Sequence, residues 1–502
     1  MLFYNEDWIH YIWTRNNAGI EITKESLKEY IYSFKNSQIT DFVMNINGTV
    51  STADSKVFET FADKYMATKE NGVAVDFKDT FASEVYKLIY EKKTDMYKVW
   101  IETLREIGIN PWISVRMNDC HGNMEDLNVR KSSHVERYAK YHIAAHRERT
   151  GYFDKCFDYS HFEMRKKMLD YIDEQLDKYD VYGLELDFMR DTFFVRFGEE
   201  YGGAPIMAQF IRDIFYVVKK YEAKYGHPIK KSVILPTEPN LTIERGMNIF
   251  DFADELDYVV IIPRWETIDT DMPIELWKQL LRNTGIKLGC GQQLLFKPYR
   301  GYKPVISTVK MAFGQAIANL SRGCDFVYLY NYMDLAQFEG ELADWVYDTS
   351  IRNDTNRSLI FKNIGRLDTL MKQERSHVVT YSDFWRYDIP ACSVLPIEFN
   401  EECVEFKQIK IPVGKVPEQA KVHLIMGISG NDALLPKDIK VYVNAVKCEF
   451  KKKTELDRNI YENDAYVFSV GGNMYGVMYA EVNIAKKCCL EYVEIEVVPA
   501  ES

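Results

Sequence analysis

No stretch of this 502-residue sequence approaches the roughly 18 consecutive apolar residues that a membrane-crossing helix needs. Long basic runs are missing as well. Lys451-Lys452-Lys453 is a short cluster that reads as a solvated turn or strand edge, and the net charge is −12. Without a basic stripe to displace counterions from phosphates, nucleic acid is excluded as the main partner, and an anionic membrane surface is disfavoured by the same charge. The nine cysteines are odd in number and include no Cys-x-x-Cys pair, so neither a disulfide framework nor a structural zinc site is expected. The opening Met1-Leu2-Phe3-Tyr4-Asn5-Glu6-Asp7 shows no basic start, apolar centre or small-residue cleavage site. With reduced thiols, the expected location is cytoplasmic.

Several reaction classes lack their signatures. There is no Gly-x-Ser-x-Gly elbow for a serine nucleophile. Gly289-Cys290-Gly291 lacks the third glycine and the downstream acid of a dinucleotide-binding loop. Among nine histidines, His121, His134, His142, His146 and His161 fall close together, and His142 and His146 have helical spacing. With no His-Glu-x-x-His motif and no third ligand in view they read as surface or packing residues, so no metal and no cofactor is expected.

What is present points to an α/β fold. The length allows two or three domains. Aromatic residues make up 14% of the chain, with 34 Tyr and 8 Trp, a composition that suits stacking on sugars and equally an aromatic core. As far as about Met333, β-rich runs at 2–5, 41–47, 112–118, 182–188, 232–236, 256–262, 286–289 and 325–331 alternate with helical stretches, the pattern of a parallel sheet built from βα units. Ser160-His161-Phe162-Glu163 reads as a capping box ahead of Met164, Met168, Leu169, Ile172 and Leu176 on one helical face. The stripe Val309, Ala312, Phe313, Ala316, Leu320 stops at Gly323, and Met96, Trp100, Leu104 stops before Gly108, where left-handed caps are expected. These features predict a (β/α)8 TIM barrel over 1–345 with an insertion at about 121–158, then a helical connector over 346–385. Short strands between turn signals then predict a C-terminal antiparallel β-sandwich over 386–502.

In such a barrel, chemistry sits at the C-terminal ends of the strands. Strand parity turns Glu185 and Asp187 of Gly183-Leu184-Glu185-Leu186-Asp187 to one side and Leu184, Leu186 and Phe188 to the other. Two acids facing a barrel interior are costly unless hydrogen-bonded, ion-paired or functional. Ser114, Arg116 and Asn118 likewise share a face, followed by Asp119 and His121. Arg116 is a natural partner for a strand-4 carboxylate, lowering its pKa and holding it ionised. Arg190 follows the acidic strand. Asn45 and Asn118 could hydrogen-bond sugar hydroxyls; Asn47 beside Gly48 is equally a turn former. Glycoside hydrolysis needs a second carboxylic acid, and Glu238 after strand 5 and Glu266 after strand 6 are the candidates, Glu266 lying beside Trp265, a potential sugar platform. Flanking prolines favour Glu238. Strand 7 ends without a carboxylate, whereas strand 8 ends in Tyr328, Tyr330 and Asn331, which suit sugar binding.

The motifs Trp112-Ile113-Ser114-Val115-Arg116-Met117-Asn118-Asp119, Asp158-Tyr159-Ser160-His161 and Gly183-Leu184-Glu185-Leu186-Asp187-Phe188-Met189-Arg190, in that order, resemble a bacterial group of barrels known loosely as family-10 glycosyl-hydrolase-like, often followed by a β-sandwich. The resemblance spans about the first two-thirds of the chain and implies a (β/α)8 fold and a carbohydrate substrate. The acidic strand is also similar to the strand-4 aspartate strands of several α- and β-glycosidase families, which implies Asp187 as nucleophile with Glu185 as its neighbour. The resulting expectation is an exo-acting glycosidase on oligosaccharides, with a β-galactoside as one candidate substrate and a homo-oligomer left open. The rivals are a catalytically inert carbohydrate-binding barrel and a metal-dependent sugar lyase or isomerase, the latter requiring His121, Asp119 and Glu185 to converge.

Overall fold

A computed structural model describes residues 1–17, 19–71, 78–119, 156–263, 271–300, 305–332, 354–379, 394–400, 405–430, 434–455, 464–471 and 476–500. Eight parallel strands close into a barrel: β1 (Leu2–Glu6), β2 (Asp41–Asn45), β3 (Asn110–Arg116), β4 (Gly183–Asp187), β5 (Lys230–Pro236), β6 (Tyr258–Ile262), β7 (Lys287–Gln292) and β8 (Phe326–Leu329). Each strand pairs with its sequence neighbours, and β1 joins β2 to β8. Consequently β4 and β8 stand opposite each other across the lumen. Every strand expected from the sequence is present.

Side-chain alternation explains the layering. Leu184 and Leu186 of β4 point outward with Ile113 and Val115 of β3 and Val233 and Leu235 of β5 into the core beneath the helices. Inward, Phe3, Val43, Trp112, Ile234, Tyr258, Val260 and Phe326 fill the lumen. Trp112 forms much of its floor. Its ring packs 5.5 Å from Phe3 and 5.7 Å from Tyr258, and its Nε1 donates to Asp41 Oδ1 at 2.9 Å. With the floor filled by aromatic rings, the polar inward positions concentrate toward the opposite, C-terminal end.

The helix Met96–Glu106 is followed by Gly108 at φ 79°, and the helix Val309–Ser321 by Gly323 at φ 109°, as their stop signals require. The capping box at Ser160 does not form. His161 occupies the N-cap of the helix Phe162–Lys178 without a side-chain bond to it. Asp158 organises the turn instead: its Oδ1 accepts from the Ser160 N–H at 3.0 Å and its carbonyl from the His161 N–H at 3.2 Å. Among the described residues no helix is long and apolar enough to cross a membrane.

Beyond the barrel lie the helices Asp354–Asn363 and Leu367–Leu370, within the stretch expected as a connector, which also carries a strand, β9 (Arg375–Val379). The remaining strands are β10 (Ile397–Phe399), β11 (Lys407–Pro412), β12 (Lys421–Ser429), β13 (Ile439–Val443), β14 (Val446–Lys447), β15 (Glu449–Glu455), β16 (Asp464–Ser469), β17 (Val477–Ile484) and β18 (Cys488–Val498). One antiparallel sheet runs β9-β18-β12-β16-β15, with β10 also on β18; the other runs β11-β17-β13-β14. Between them Ile409, Ile411, Leu424, Met426, Val441, Met478, Val482, Leu490 and Ile495 make a separate core. This is a β-sandwich following a TIM barrel.

The two bodies meet along the helix Val309–Ser321. A Cβ built on Gly314 would stand 2.0 Å from the Ser376 carbonyl oxygen of β9. Lys415 N–H donates to Ser321 Oγ at 3.0 Å, and Lys310 Nζ lies 2.8 Å from Glu374 and 3.3 Å from Glu496. Because the obstacle at Gly314 is backbone, Gly314→Ala must push the sandwich off the helix. A loss of about 1–3 kcal/mol is expected in urea denaturation, despite alanine's better helix propensity.

Candidate active site in the barrel mouth

At the C-terminal end of β4, Asp187 is fully buried. As the chain leaves the strand it folds back over this side chain, so Oδ1 accepts from the N–H groups of Met189 at 2.9 Å and Arg190 at 3.1 Å. From across the lumen Tyr330 Oη donates to Oδ2 at 3.0 Å. Burial raises the pKa of Asp187, and the Arg116 charge, the Met189 N–H, the Tyr330 hydroxyl and the Arg190 charge oppose it; the net direction is upward. Burial therefore outweighs the lowering effect that the sequence assigns to Arg116.

Two residues deeper on the same face, Glu185 is also fully buried, and Tyr328 Oη donates to its Oε1 at 2.6 Å. Register puts Ser114 on one side of it and Ser232 on the other. Burial pushes its pKa up to about 8; the hydrogen bond from Tyr328 and the two serines work against the rise, and the neighbouring Asp187 charge adds to it. At neutral pH Glu185 is a neutral acid.

Arg116 of β3 is 3% exposed, and its ion pairs do not go to β4. Nη2 lies 2.7 Å from Asp7 Oδ2 and Nη1 3.1 Å from Asp119 Oδ2, while Nη2 also reaches Asn331 Oδ1 at 3.4 Å. Asp119 is shared with Arg190, whose Nε is 3.7 Å away. Burial pushes the Asp7 pKa up, but the Arg116 charge and that of His10 pull it down to about 2. The backbone of Arg116 is clamped by Asn47, whose Oδ1 accepts its N–H at 3.0 Å and whose Nδ2 donates to its carbonyl at 2.9 Å. Asn47 is thus fully engaged with backbone.

Beside the guanidinium, Asn45 Nδ2 reaches Asn5 Oδ1 at 3.4 Å and Asn331 Oδ1 at 3.5 Å, and the Asn331 N–H donates to Asn5 Oδ1 at 3.1 Å. Asn331 itself adopts φ 45°, a left-handed conformation that asparagine tolerates better than most residues. Asn118, expected at the same face, ties two backbone segments together: its Oδ1 accepts from Phe157 N–H at 2.8 Å and its Nδ2 donates to the Phe193 carbonyl. Glu238 is the half-buried N-cap of the short helix Pro239–Glu244 after β5, and its Oε2 accepts from Thr237 Oγ1 at 2.7 Å. Trp277 Nε1 anchors that turn through the Thr237 carbonyl at 2.6 Å. His121, Trp265 and Glu266 lie outside the described residues.

The structure therefore gathers Glu185, Asp187, Arg116, Asp119, Arg190, Asn45, Tyr330 and Asn331, and adds Asp7, Asn5 and Tyr328. Asp7 was findable by the rule that located the others, since it immediately follows β1 at the catalytic end. Tyr328 shares the parity of Tyr330. Asp7, Asp119 and Asp187 thus share one cluster with Arg116 and Arg190, with His10 acting on Asp7. Among the described residues no three His, Cys, Asp or Glu side chains gather to hold a metal ion.

Replacing Arg116 by Leu strands two buried carboxylates. Destabilisation of about 3–5 kcal/mol is expected from chemical denaturation at neutral pH. The sign with pH follows from Asp7, whose folded pKa lies below its ordinary value. The stability it contributes in the wild type is present above the ordinary aspartate range and lost as pH falls through about 2, and the variant lacks that acid-sensitive contribution.

No protein-family model matches the chain, and no curated protein matches it in sequence. Solved structures similar to it include the glycoside hydrolase domain of PgaB (BpsB) from Bordetella bronchiseptica, at 10% identity over 65% of this chain and 93% of that one, with a TM-score of 0.44. A bacterial fucosidase solved with an iminocyclitol inhibitor is 11% identical over 96% of this chain and 94% of its own, with a TM-score of 0.35. A glycoside hydrolase family 18 N-acetylglucosaminidase from Paenibacillus barengoltzii is 10% identical over 59% and 68%, with a TM-score of 0.31. At that distance the likeness assigns no role to any residue of this chain.

Proposed function

We propose that the protein is a glycoside hydrolase in which Asp187 attacks the anomeric carbon. The observation that carries this reading is the Asp187 carboxylate itself, fixed at the strand end by two backbone N–H groups on Oδ1 and by Tyr330 on Oδ2. Oδ2, with a single donor, keeps lone-pair capacity for the substrate. Ionised carboxylates beside the anomeric carbon would stabilise the oxocarbenium-like transition state of glycosyl transfer. Arg116 holds Asp7 and Asp119 in place and, with Arg190, favours the ionised form of Asp187.

The second acid, which protonates the leaving oxygen, is assigned to Glu238 or Glu266. Glu238 is the one whose position is described, on a turn anchored by Trp277 at the end of β5. Asn45 and Asn331 are assigned to sugar hydroxyls, and the substrate contacts expected from the sequence at Asp119, His121, Asn118 and Trp265, the last as a stacking platform, are kept as part of the proposal. Carried over from the sequence are membership of the family-10-like group, an exo mode on oligosaccharides, a cytoplasmic location and a β-galactoside as one substrate to try.

A panel of chromogenic aryl glycosides tests the reading. The wild type is expected to release aglycone from at least one of them, and Asp187→Asn to lose on the order of 10⁴-fold or more in kcat, as nucleophile removal does in other enzymes that act through a covalent intermediate. Hydrolysis that survives this substitution unchanged overturns the assignment. Saturable oligosaccharide binding without turnover by the wild type favours the inert-barrel reading instead.

A further inference from the structure

The deeper carboxyl on β4 has no assigned step in that reaction, yet it sits in an unusual place. Glu185 lies two residues below Asp187 on the same inward face, and no cation contacts it among the described residues. Arg116 is engaged with Asp7 and Asp119, and Arg190 reaches Asp119. The groups that do face it are hydroxyls: Tyr328 from β8, bonded to Oε1 at 2.6 Å, and Ser114 and Ser232 from the strands on either side. Oε2 and both serine Oγ atoms are buried without a closed hydrogen bond, so no donor is fixed on Oε2. The other strands turn Phe3, Val43, Val260 and Gly291 inward, none of them ionisable. The charged or ionisable groups nearby are Asp187 on the same strand, Tyr330 above Tyr328, and the Arg116–Asp7–Asp119–Arg190 cluster beyond Asp187.

We infer that Glu185 is a positioning residue: as a neutral acid bonded to Tyr328 it leaves Asp187 the one charged carboxylate on the inner face of β4, and its ionisation closes the active pH range from the alkaline side. Two like charges on adjacent inward positions of one strand, both buried and with no cation in contact with the deeper one among the described residues, repel strongly. Once Glu185 ionises, β4 carries two adjacent inward carboxylates, and the Tyr328 and Tyr330 hydroxyls must serve two mutually repelling anions, which displaces Asp187 from its fixed position. A glycosidase's alkaline limit ordinarily reports loss of the proton on the leaving-group acid; here the limit belongs to a group that never touches substrate. The upward push on Glu185 to about 8 is in keeping with this geometry.

The inference rests on the glycosidase reading for its activity arm, so a second arm needs no substrate. In the first, hydrolysis by wild type and Glu185→Gln is followed from pH 5 to 10. The wild type is expected to lose activity above about pH 8. Whatever the absolute rate of the variant, its alkaline limb is expected to move up by about one unit or more, because the neutral amide cannot ionise. Tyr328→Phe, which removes the donor that favours the ionised carboxyl, should shift the limb upward while keeping the carboxyl. In the second arm, thermal midpoints are compared over the same range. A glutamate whose folded pKa is raised contributes stability below its ordinary value and loses it as pH rises through about 8, so the midpoint of wild type relative to Glu185→Gln should fall over that interval. A limb unmoved by Glu185→Gln, or a midpoint difference that stays constant with pH, overturns the inference. A midpoint difference that falls as stated upholds neutral Glu185 even if no glycoside is hydrolysed, in which case the glycosidase reading alone fails.

Discussion

One guanidinium holds the open end of the barrel together. Arg116 is buried, and a buried cation without partners costs several kcal/mol even after relaxation. Its partners come from the ends of different strands: Asp7 just past β1, Asp119 just past β3, and Asn331 Oδ1 just past β8. These side chains compensate one another only in the closed ring, where β2 sits between β1 and β3 and β8 borders β1. Asn47, from the end of β2, then pins the backbone of Arg116 at both its N–H and its carbonyl. The charge network and the strand order are therefore one constraint. The clasp that fixes the rim also fixes the field in which Asp187 sits.

That constraint separates what the sequence revealed from what it hid. The eight strands were legible because apolar outward positions alternate with polar or aromatic inward ones, and a one-residue slip would put Glu185 and Asp187 against the helices. The same parity placed Glu185, Asp187, Ser114 and Arg116 on inner faces correctly. It could not say which acid Arg116 meets, since parity gives a direction and not a distance across a closed sheet. Strand 4 is adjacent in both sequence order and hydrogen bonding, yet its carboxylates are engaged by tyrosines from the far side of the lumen, and Arg116 turns to β1. Local signals failed where a competitor lay just outside the window considered. The Ser160 capping box lost to Asp158, two residues upstream, whose carboxylate and carbonyl both accept from the turn. Asn118 and Asn47 have the right chemistry for sugar hydroxyls, but nearby backbone groups claimed their amides.

The lumen holds two tyrosine–carboxylate pairs stacked one above the other, Tyr328–Glu185 and Tyr330–Asp187, each bridging the same two opposed strands. Their pairings are nearly identical, and both acids are fully buried. What separates their chemistry is what else is within reach. The upper pair sits where β4 ends, so two backbone N–H groups freed from the sheet can turn onto Asp187, and Arg116 and Arg190 lie close enough to favour its charge. The lower pair sits inside the ladder, where every neighbouring N–H belongs to a strand bond and only hydroxyls remain. A carboxyl there is stable as the acid, and one at the rim can hold a charge. The i, i+2 spacing of a single strand thus sets two carboxyls in unlike surroundings, and the depth at which the strand stops being a strand decides which of them has donors and cations to favour its charge.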